Sequence, residues 1–221
     1  MHIAITPDGN RRYSKKKVMN FKDAYAIGMN KFRDFIEWCS ETDVECITAY
    51  ALSLENIRNR SAAELEILNK VLIKEIDKTI NDERIHKNNV CVRICGNLNA
   101  IKSKKFIEKL KELEDVTAKY SKHRVNLAVA YGGRQEIMEV IEKFKNSNEE
   151  VNEENVRNKL LIKEYPDIFI RTGAHRISNF LLWQVAYSEI YFVDKLWPEL
   201  EKDDLIKIIS DYNKTKRNFG K

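Results

Sequence analysis

The sequence predicts an α/β fold built on a largely parallel sheet. Three observations carry this. Short apolar runs alternate with longer helical patterns along the whole chain. Several of those runs lack polar alternation, as strands buried on both faces do. The length of 221 residues, 43% of them apolar, with no obvious linker, suits one domain (residues 1–221) with a sizeable core.

The elements follow in order. His2–Thr6 reads as a strand, and Lys22–Glu41 as a helix. Cys46–Ala51 is the second strand. The helix Ala62–Asn81 places Leu65, Leu68, Leu72 and Ile76 on one apolar face, which periodicity alone assigns to the core. The strand Val90–Gly96, the helix Lys102–Lys119, the strand Val125–Tyr131 and the helix Gln135–Lys145 come next. Asn146–Asn155 is polar and acidic and reads as an exposed connection into a short helix, Glu153–Leu160. A strand at Asp167–Arg171, an apolar helix at Asn179–Ser188, a strand at Ile190–Val193 and a helix at Asp203–Lys216 complete the chain. Ligands in such sheets bind beyond the carboxyl ends of the strands. That rule marks the loops after Thr6, Ala51, Tyr131 and Arg171.

Composition excludes several classes. No apolar run approaches bilayer length, and the start, Met1 to Pro7, turns polar too soon for a signal peptide. The net charge of +5 is a mild excess that fits anionic ligands without requiring them. Cys39, Cys46, Cys91 and Cys95 form no C-x-x-C pair and read as reduced thiols of a cytoplasmic protein. Neither phosphate-loop pattern (G-x-x-x-x-G-K-[ST] or G-x-G-x-x-G) occurs, nor a G-x-S-x-G elbow, nor a D-D-x-x-D pair. No basic stripe with interleaved aromatics points to nucleic acid.

Four constellations sit in the marked loops. In Pro7-Asp8-Gly9-Asn10-Arg11-Arg12, Asp8 suits a divalent cation and the arginines suit phosphate oxygens, though an Asp-Gly pair by itself is an ordinary turn. In the run from Asp167 to Asn179, an apolar strand delivers Arg171, and Arg176, Ser178 and helix-start amides follow as a diphosphate cradle. Ser53 and Asn56 are polar groups that serve equally as a helix cap or a ligand contact. Tyr131-Gly132-Gly133-Arg134 reads as a structural turn. Glu189 and His175 are each ambiguous between metal ligand and surface residue.

Together, the D-G-N-x-R start at Asp8, the S-x-E-N loop at Ser53, the Y-G-G-R turn and the block from Arg176 to Glu189 (R-x-S-N-F-L-L-W-Q-x-A-Y-S-E) resemble the cis-prenyltransferase (undecaprenyl-diphosphate synthase-like) family. Ile190-Tyr191-Phe192 and Leu196-Trp197-Pro198 match as well. The resemblance implies a six-stranded, mostly parallel sheet flanked by helices. It also implies a homodimer, a hydrophobic tunnel with the Leu65–Ile76 face as a candidate wall, and Mg²⁺-dependent condensation of an allylic prenyl diphosphate with isopentenyl diphosphate. Lipid product release implies peripheral contact with a membrane. Carried over by position, Asp8 resembles a Mg²⁺-linked aspartate, while Gly9, Asn10 and Arg12 resemble the loop around the allylic diphosphate, with Arg11 beside them. Ser53 and Asn56 match positions near the reacting ends, so Asp8, Asn10 and Asn56 are the catalytic candidates. Arg171, Arg176 and Ser178 match the isopentenyl diphosphate site. His175 and Glu189 match positions linked to Mg²⁺, Glu189 across the dimer.

The chain departs from the family pattern in one region. Arg11 and Tyr13 replace a Gly and a Trp, and Phe21 aligns with an arginine. Tyr25 aligns with a histidine, while Gly28 is retained. Ile57 and Asn59 break the E-N-W-x-R pattern and displace its arginine to Arg58 or Arg60. The loop near Ala174 is one residue short and lacks a glutamate, and R-R-F-G becomes Arg217-Asn218-Phe219-Gly220. These changes motivate a second reading, irregular head-to-middle coupling with dimethylallyl diphosphate as acceptor. A third reading, a non-catalytic partner subunit, is disfavoured by the retained Asp8.

Overall fold

The structure, a computed structural model, describes residues 1–216. Six strands form one sheet: β1 His2–Thr6, β2 Cys46–Ser53, β3 Val90–Cys95, β4 His123–Tyr131, β5 Ile168–Thr172 and β6 Glu189–Val193, in the order β3-β4-β2-β1-β5-β6. Every pairing is parallel. Nine α-helices are described among these residues: α1 Asn10–Lys16, α2 Phe21–Ser40, α3 Leu54–Asn59, α4 Ala62–Ile80, α5 Glu83–Lys87, α6 Lys104–Thr117, α7 Gly133–Lys145, α8 Glu153–Lys159 and α9 Lys202–Lys214.

The sheet separates two apolar layers because strand side chains alternate between faces. Ile3, Ile5, Ile47 and Ala49 pack with Phe35 and Ile36 of α2, Leu68 and Ile76 of α4, and Phe106, Leu110 and Leu113 of α6. Ala4, Ala128 and Phe169 face the other way, onto Phe180, Leu181 and Val185. Caps set the helix starts. Asn20 accepts a hydrogen bond from Asp23 N at 2.9 Å, and Ser61 with Glu64 forms a reciprocal capping box at α4.

The expected helix Asn179–Ser188 is absent; this run forms successive turns. Ser178, Asn179 and Leu181 adopt φ of 56°, 63° and 49°, outside helical space. Its apolar residues are nearly consecutive, a pattern that does not separate a buried helix from other buried segments. The segment covers the sheet instead, with Phe180 stacked on Tyr50 at 4.5 Å between ring centroids. No helix start therefore follows Ser178 to add its amides to the expected cradle, which is left with Arg171, Arg176 and Ser178. Short helices α1 and α5 were not foreseen, α3 is the short helix that Ser53 was read as able to cap, and the Arg217–Gly220 match lies outside the described residues.

Candidate active site

β4, β2, β1 and β5 are adjacent in the sheet, and all are parallel, so their four carboxyl-end loops converge. The chain leaves β1 for β2 on one side and returns as β5 on the other, which makes the β1–β5 boundary the natural crevice. Thr6 pairs with Arg171 there. Two residues on, Asp8 is locked by a double contact: its amide donates to Thr172 Oγ1 at 2.9 Å, and that hydroxyl donates to Asp8 O at 2.8 Å. Gly9 follows at φ 128°, where a Cβ would approach Leu196 Cβ at 2.9 Å, so both conformation and space require glycine.

Arg171 is only 3% exposed. Its Nη2 donates to Asp8 Oδ2 at 2.9 Å, while Nε and Nη1 are buried without a protein partner. Burial pulls the guanidinium below its ordinary pKa, and the Asp8 carboxylate opposes that pull. Unpaired buried donors on a cation are costly, so an anion would complete this group. Arg12 Nη2 lies 3.5 Å from Asp8 Oδ1, and its Nη1 donates to Gly173 O at 2.5 Å. Trp197, itself buried, braces the loop: its amide donates to Asp8 O at 3.0 Å and its indole to Gly28 O of α2 at 2.8 Å.

One cavity of about 1450 Å³ opens here. Asp8, Gly9, Asn10, Arg11, Arg12, Ser53, Asn56, Arg171, His175, Arg176 and Ser178 all border it. Beyond this polar mouth its walls turn apolar: Leu68, Leu72 and Ile76 of α4, Phe106, Leu110 and Leu113 of α6, and Val92, Val125 and Val129 of the sheet. The α4 face assigned to the core by periodicity thus also lines a tunnel.

Glu189 does not join the others. It begins β6, opposite Ile168 at the amino end of the sheet, and its amide donates to Asp167 O at 3.0 Å. Strands of five residues put it roughly 15 Å from the carboxyl edge. Within one chain, Asp8, His175 and Glu189 therefore do not form a common metal set, and no cluster of three metal-ligating side chains occurs among the described residues. His175 is exposed at the rim, with Nε2 2.8 Å from Asp194 Oδ1 and its ring over Phe192.

Other side chains proved to organise the loops. Ser53 caps α3, accepting from Asn56 N at 3.0 Å, so both of its possible roles meet at the cavity rim. Asn179 caps a helix far away in sequence: its Oδ1 accepts from Arg134 N at 2.8 Å and its carbonyl from Gly133 N at 2.7 Å, at the start of α7. Its Nδ2 donates to Glu55 Oε1 at 2.6 Å. Partial burial acts to raise the Glu55 carboxyl, but hydrogen bonds from its own amide, Asn179 and Ser53 outweigh it and hold the carboxyl below its ordinary range. Asn179 thereby ties three of the four loops together. The Gly132–Gly133 pair is needed for close approach rather than for a left-handed turn, since a Cβ on Gly133 would lie 2.8 Å from Leu182 Cγ. Of the two candidates for the displaced arginine, Arg60 borders the cavity; Arg58 is exposed. No sequence signal singles out the Asn179, Trp197 or Arg60 contacts, because each spans elements distant in the chain.

The comparisons with known proteins agree with this geometry. The family model for undecaprenyl diphosphate synthases matches residues 6–220. The chain belongs to that family. A tritrans,polycis-undecaprenyl-diphosphate synthase (geranylgeranyl-diphosphate specific) of Pyrobaculum aerophilum is 42% identical over 229 residues, spanning 100% of this chain and 95% of that protein. The corresponding protein of Pyrococcus furiosus is 39% identical, spanning 100% and 86%. The crystal structure of lavandulyl diphosphate synthase from Lavandula x intermedia, in complex with dimethylallyl diphosphate, superposes with a TM-score of 0.92 at 27% identity, over 100% of this chain and 98% of that one. The family fold is the six-stranded sheet described above. Of the residues at which the chain departs from the motif pattern it resembles, Arg11 and Tyr25 border the cavity and Phe21 packs on Tyr25, with ring centroids 4.3 Å apart.

Proposed function

We propose that the protein joins an allylic prenyl diphosphate to isopentenyl diphosphate and repeats the addition to give a long cis-polyprenyl diphosphate. One observation carries this reading: a cationic mouth opens directly into a deep apolar tunnel. At about 1450 Å³ the cavity exceeds the ~300–1,000 Å³ that small-molecule sites occupy. A product that grows by isoprene units needs that room; a coupling of two five-carbon units does not. The relatives' specificity for geranylgeranyl diphosphate makes it the donor of choice.

In this reading Arg171, Arg176 and Ser178 hold one diphosphate at the β5 side, and Asn10, Arg11 and Arg12 face the other. The donor's carbon–oxygen bond breaks, a carbon–carbon bond forms to the acceptor alkene, and a proton leaves the acceptor. The arginines stabilise the negative charge that accumulates on the departing diphosphate, and Ser53 and Asn56 orient the reacting ends. Asp8 is half-open to the cavity and suits Mg²⁺, which binds through one or two carboxylates plus substrate phosphates rather than in an all-protein cage. The ion supplies further charge neutralisation when bound. His175 stands on the same rim. Glu189 would reach such a site only from a second subunit. A homodimer is supported by β6, an edge strand that leaves Ile190 and Phe192 about two-fifths exposed. Peripheral membrane contact is supported by Lys15-Lys16-Lys17 followed by Val18, which is 93% exposed. No helix among the described residues is long and apolar enough to cross a membrane.

The test is incubation of purified protein and Mg²⁺ with geranylgeranyl diphosphate and isopentenyl diphosphate, with mass spectrometry of products. Serial additions are expected, and Asp8→Asn should abolish them without loss of fold. Head-to-middle coupling draws support from the fold likeness to lavandulyl diphosphate synthase; a single branched product with dimethylallyl diphosphate as acceptor would establish it instead. Absence of any product would leave the partner-subunit role.

A further inference from the structure

Two of the loops at the cavity mouth are joined by one side-chain hydrogen bond. Asn179 Nδ2 donates to Glu55 Oε1 at 2.6 Å, across 124 residues of chain. Each end of this contact adjoins a residue assigned above to substrate. Glu55 precedes Asn56 in the first turn of α3. Asn179 follows Ser178, whose Oγ accepts from Arg176 Nε at 3.1 Å. Glu55, Asn56, Arg176, Ser178 and Asn179 all border the cavity.

Neither end holds its shape unaided. α3 has six residues, and a helix shorter than about 12–15 residues is marginal by itself in water. Ser178 and Asn179 stand at φ 56° and 63°, left-handed conformations that cost about 1–3 kcal/mol and persist only where the surroundings impose them. Asn179 is fixed on one side by the amides of Gly133 and Arg134, and on the other by Glu55. Gly132 gives the contact its room. A Cβ there would lie 3.0 Å from Asn179 Nδ2 and 3.8 Å from Glu55 Oε1, although the backbone, at φ −159°, is extended and open to any residue.

The contact brings no reactive group to the site. The Glu55 carboxylate repels a diphosphate, and its own amide, Ser53 and Asn179 already hydrogen-bond it. What it contributes is geometry. The acceptor reaches from Arg176 and Ser178, at its diphosphate, to Ser53 and Asn56, at its alkene. These groups lie on two loops that no strand pairing brings into register. We propose that Glu55 and Asn179 form a strut that sets the alkene end of the acceptor against its diphosphate end. This rests on the synthase reading above and adds to it two positioning residues.

The experiment measures kcat, and KM for each substrate, by incorporation of labelled isopentenyl diphosphate onto geranylgeranyl diphosphate with Mg²⁺, and Tm by calorimetry. The proteins are the wild type, Glu55→Ala, Glu55→Gln, Asn179→Asp and the pair Glu55→Gln/Asn179→Asp. Glu55→Ala leaves the α7 cap untouched, so its Tm should stay within about 4 °C. Its kcat should fall about ten- to hundredfold, as for a misplaced reacting group, with KM for isopentenyl diphosphate within about threefold because Arg171 and Arg176 remain. Glu55→Gln keeps an acceptor oxygen for Asn179 and should lose only about threefold. Asn179→Asp still accepts from Arg134 N but sets a carboxylate against Glu55, and should lose as much kcat as Glu55→Ala. In the pair, the glutamine amide donates to the aspartate, so the hydrogen bond returns with its direction reversed. The pair should recover at least about tenfold in kcat over Asn179→Asp. A kcat within about twofold of an active wild type in Glu55→Ala overturns the inference and leaves the synthase reading intact. So does a Glu55→Gln as slow as Glu55→Ala, which would assign the effect to charge, or a loss confined to KM. A folded pair no faster than Asn179→Asp also overturns it. If Asn179→Asp melts early, the contrast between Glu55→Ala and Glu55→Gln decides. A wild type that makes no product sinks both readings.

Discussion

Replacing Gly28 by alanine should separate stability from activity. Gly28 lies inside α2, where alanine ordinarily gains about 0.5–1 kcal/mol over glycine. Here the new Cβ would overlap Asn10 Oδ1 and lie 2.9 Å from Asn10 Cγ and 3.1 Å from its Nδ2. The backbone cannot retreat easily, because Gly28 O accepts the Trp197 indole hydrogen bond at 2.8 Å. The Asn10 side chain must therefore turn away. Its Oδ1 is buried without a partner, so no protein hydrogen bond to that atom is lost. The helix gain and the local crowding nearly cancel, leaving a net change within about 1 kcal/mol, or a Tm shift of about 2–4 °C at this size. Asn10, however, leaves its place at the cavity mouth, and misplacing a group by about 1 Å can cost roughly a hundredfold in rate. We expect kcat/KM to fall about ten- to hundredfold at near-wild-type Tm, measured by labelled isopentenyl diphosphate incorporation and calorimetry. In an Asn10→Ala background the same Gly28→Ala change should be stabilising and kinetically silent. An unchanged kcat/KM in Gly28→Ala would show that the Asn10 geometry is idle, and a Tm loss above about 10 °C would show that the α1–α2 contact cannot yield.

Two further outcomes concern buried polar groups. Glu136, 2% exposed, accepts from Tyr131 OH at 2.5 Å, Gln184 Nε2 at 3.0 Å and the amides of Leu161 and Ile162 at 2.9 and 3.2 Å. Glu136→Gln sets a donor against one of these donors and should cost about 3 kcal/mol, seen as a Tm loss of about 6–12 °C. A loss under about 2 °C would mean that the carboxylate is not needed to hold the covering segment. Burial, chiefly, pushes His2 down from 6.5 to about 4, and its Nε2 lies 2.8 Å from Thr48 Oγ1. The folded value is below the unfolded one, so stability from neutral His2 is complete above pH 6.5 and is lost as pH falls through about 4. The loss amounts to about 3 kcal/mol, and His2→Gln should remove this part of the acid sensitivity in urea titrations run across that window. Parallel pH curves for variant and wild type would refute the burial argument.

Most of the architecture was legible in the chain alone. The strands found differ from the predicted ones by at most a residue or two at their ends; β1 and β5, buried along their whole length, are the clearest of the short apolar runs. The order of the apolar runs, with the rule for carboxyl-end loops, also marked the loops that carry Asp8, Arg12, Ser53, Asn56, Arg171 and Arg176, and the family resemblance singled out those residues within them. Two kinds of fact lay beyond it. The run Phe180–Val185 was misread as helix because its hydrophobicity records burial and not backbone shape; only packing against Tyr50, Tyr131 and Phe169 selected turns. Contacts between distant loops leave no periodic trace at all. That Asn179 caps α7 and grips Glu55, that Arg60 donates to Tyr25, and that Glu189 stands at the amino end of the sheet were each decided by how parallel strands stack in an order different from their sequence. Local propensity and burial are written residue by residue, whereas the meeting of loops some 35 to 160 residues apart exists only once the sheet has ordered them.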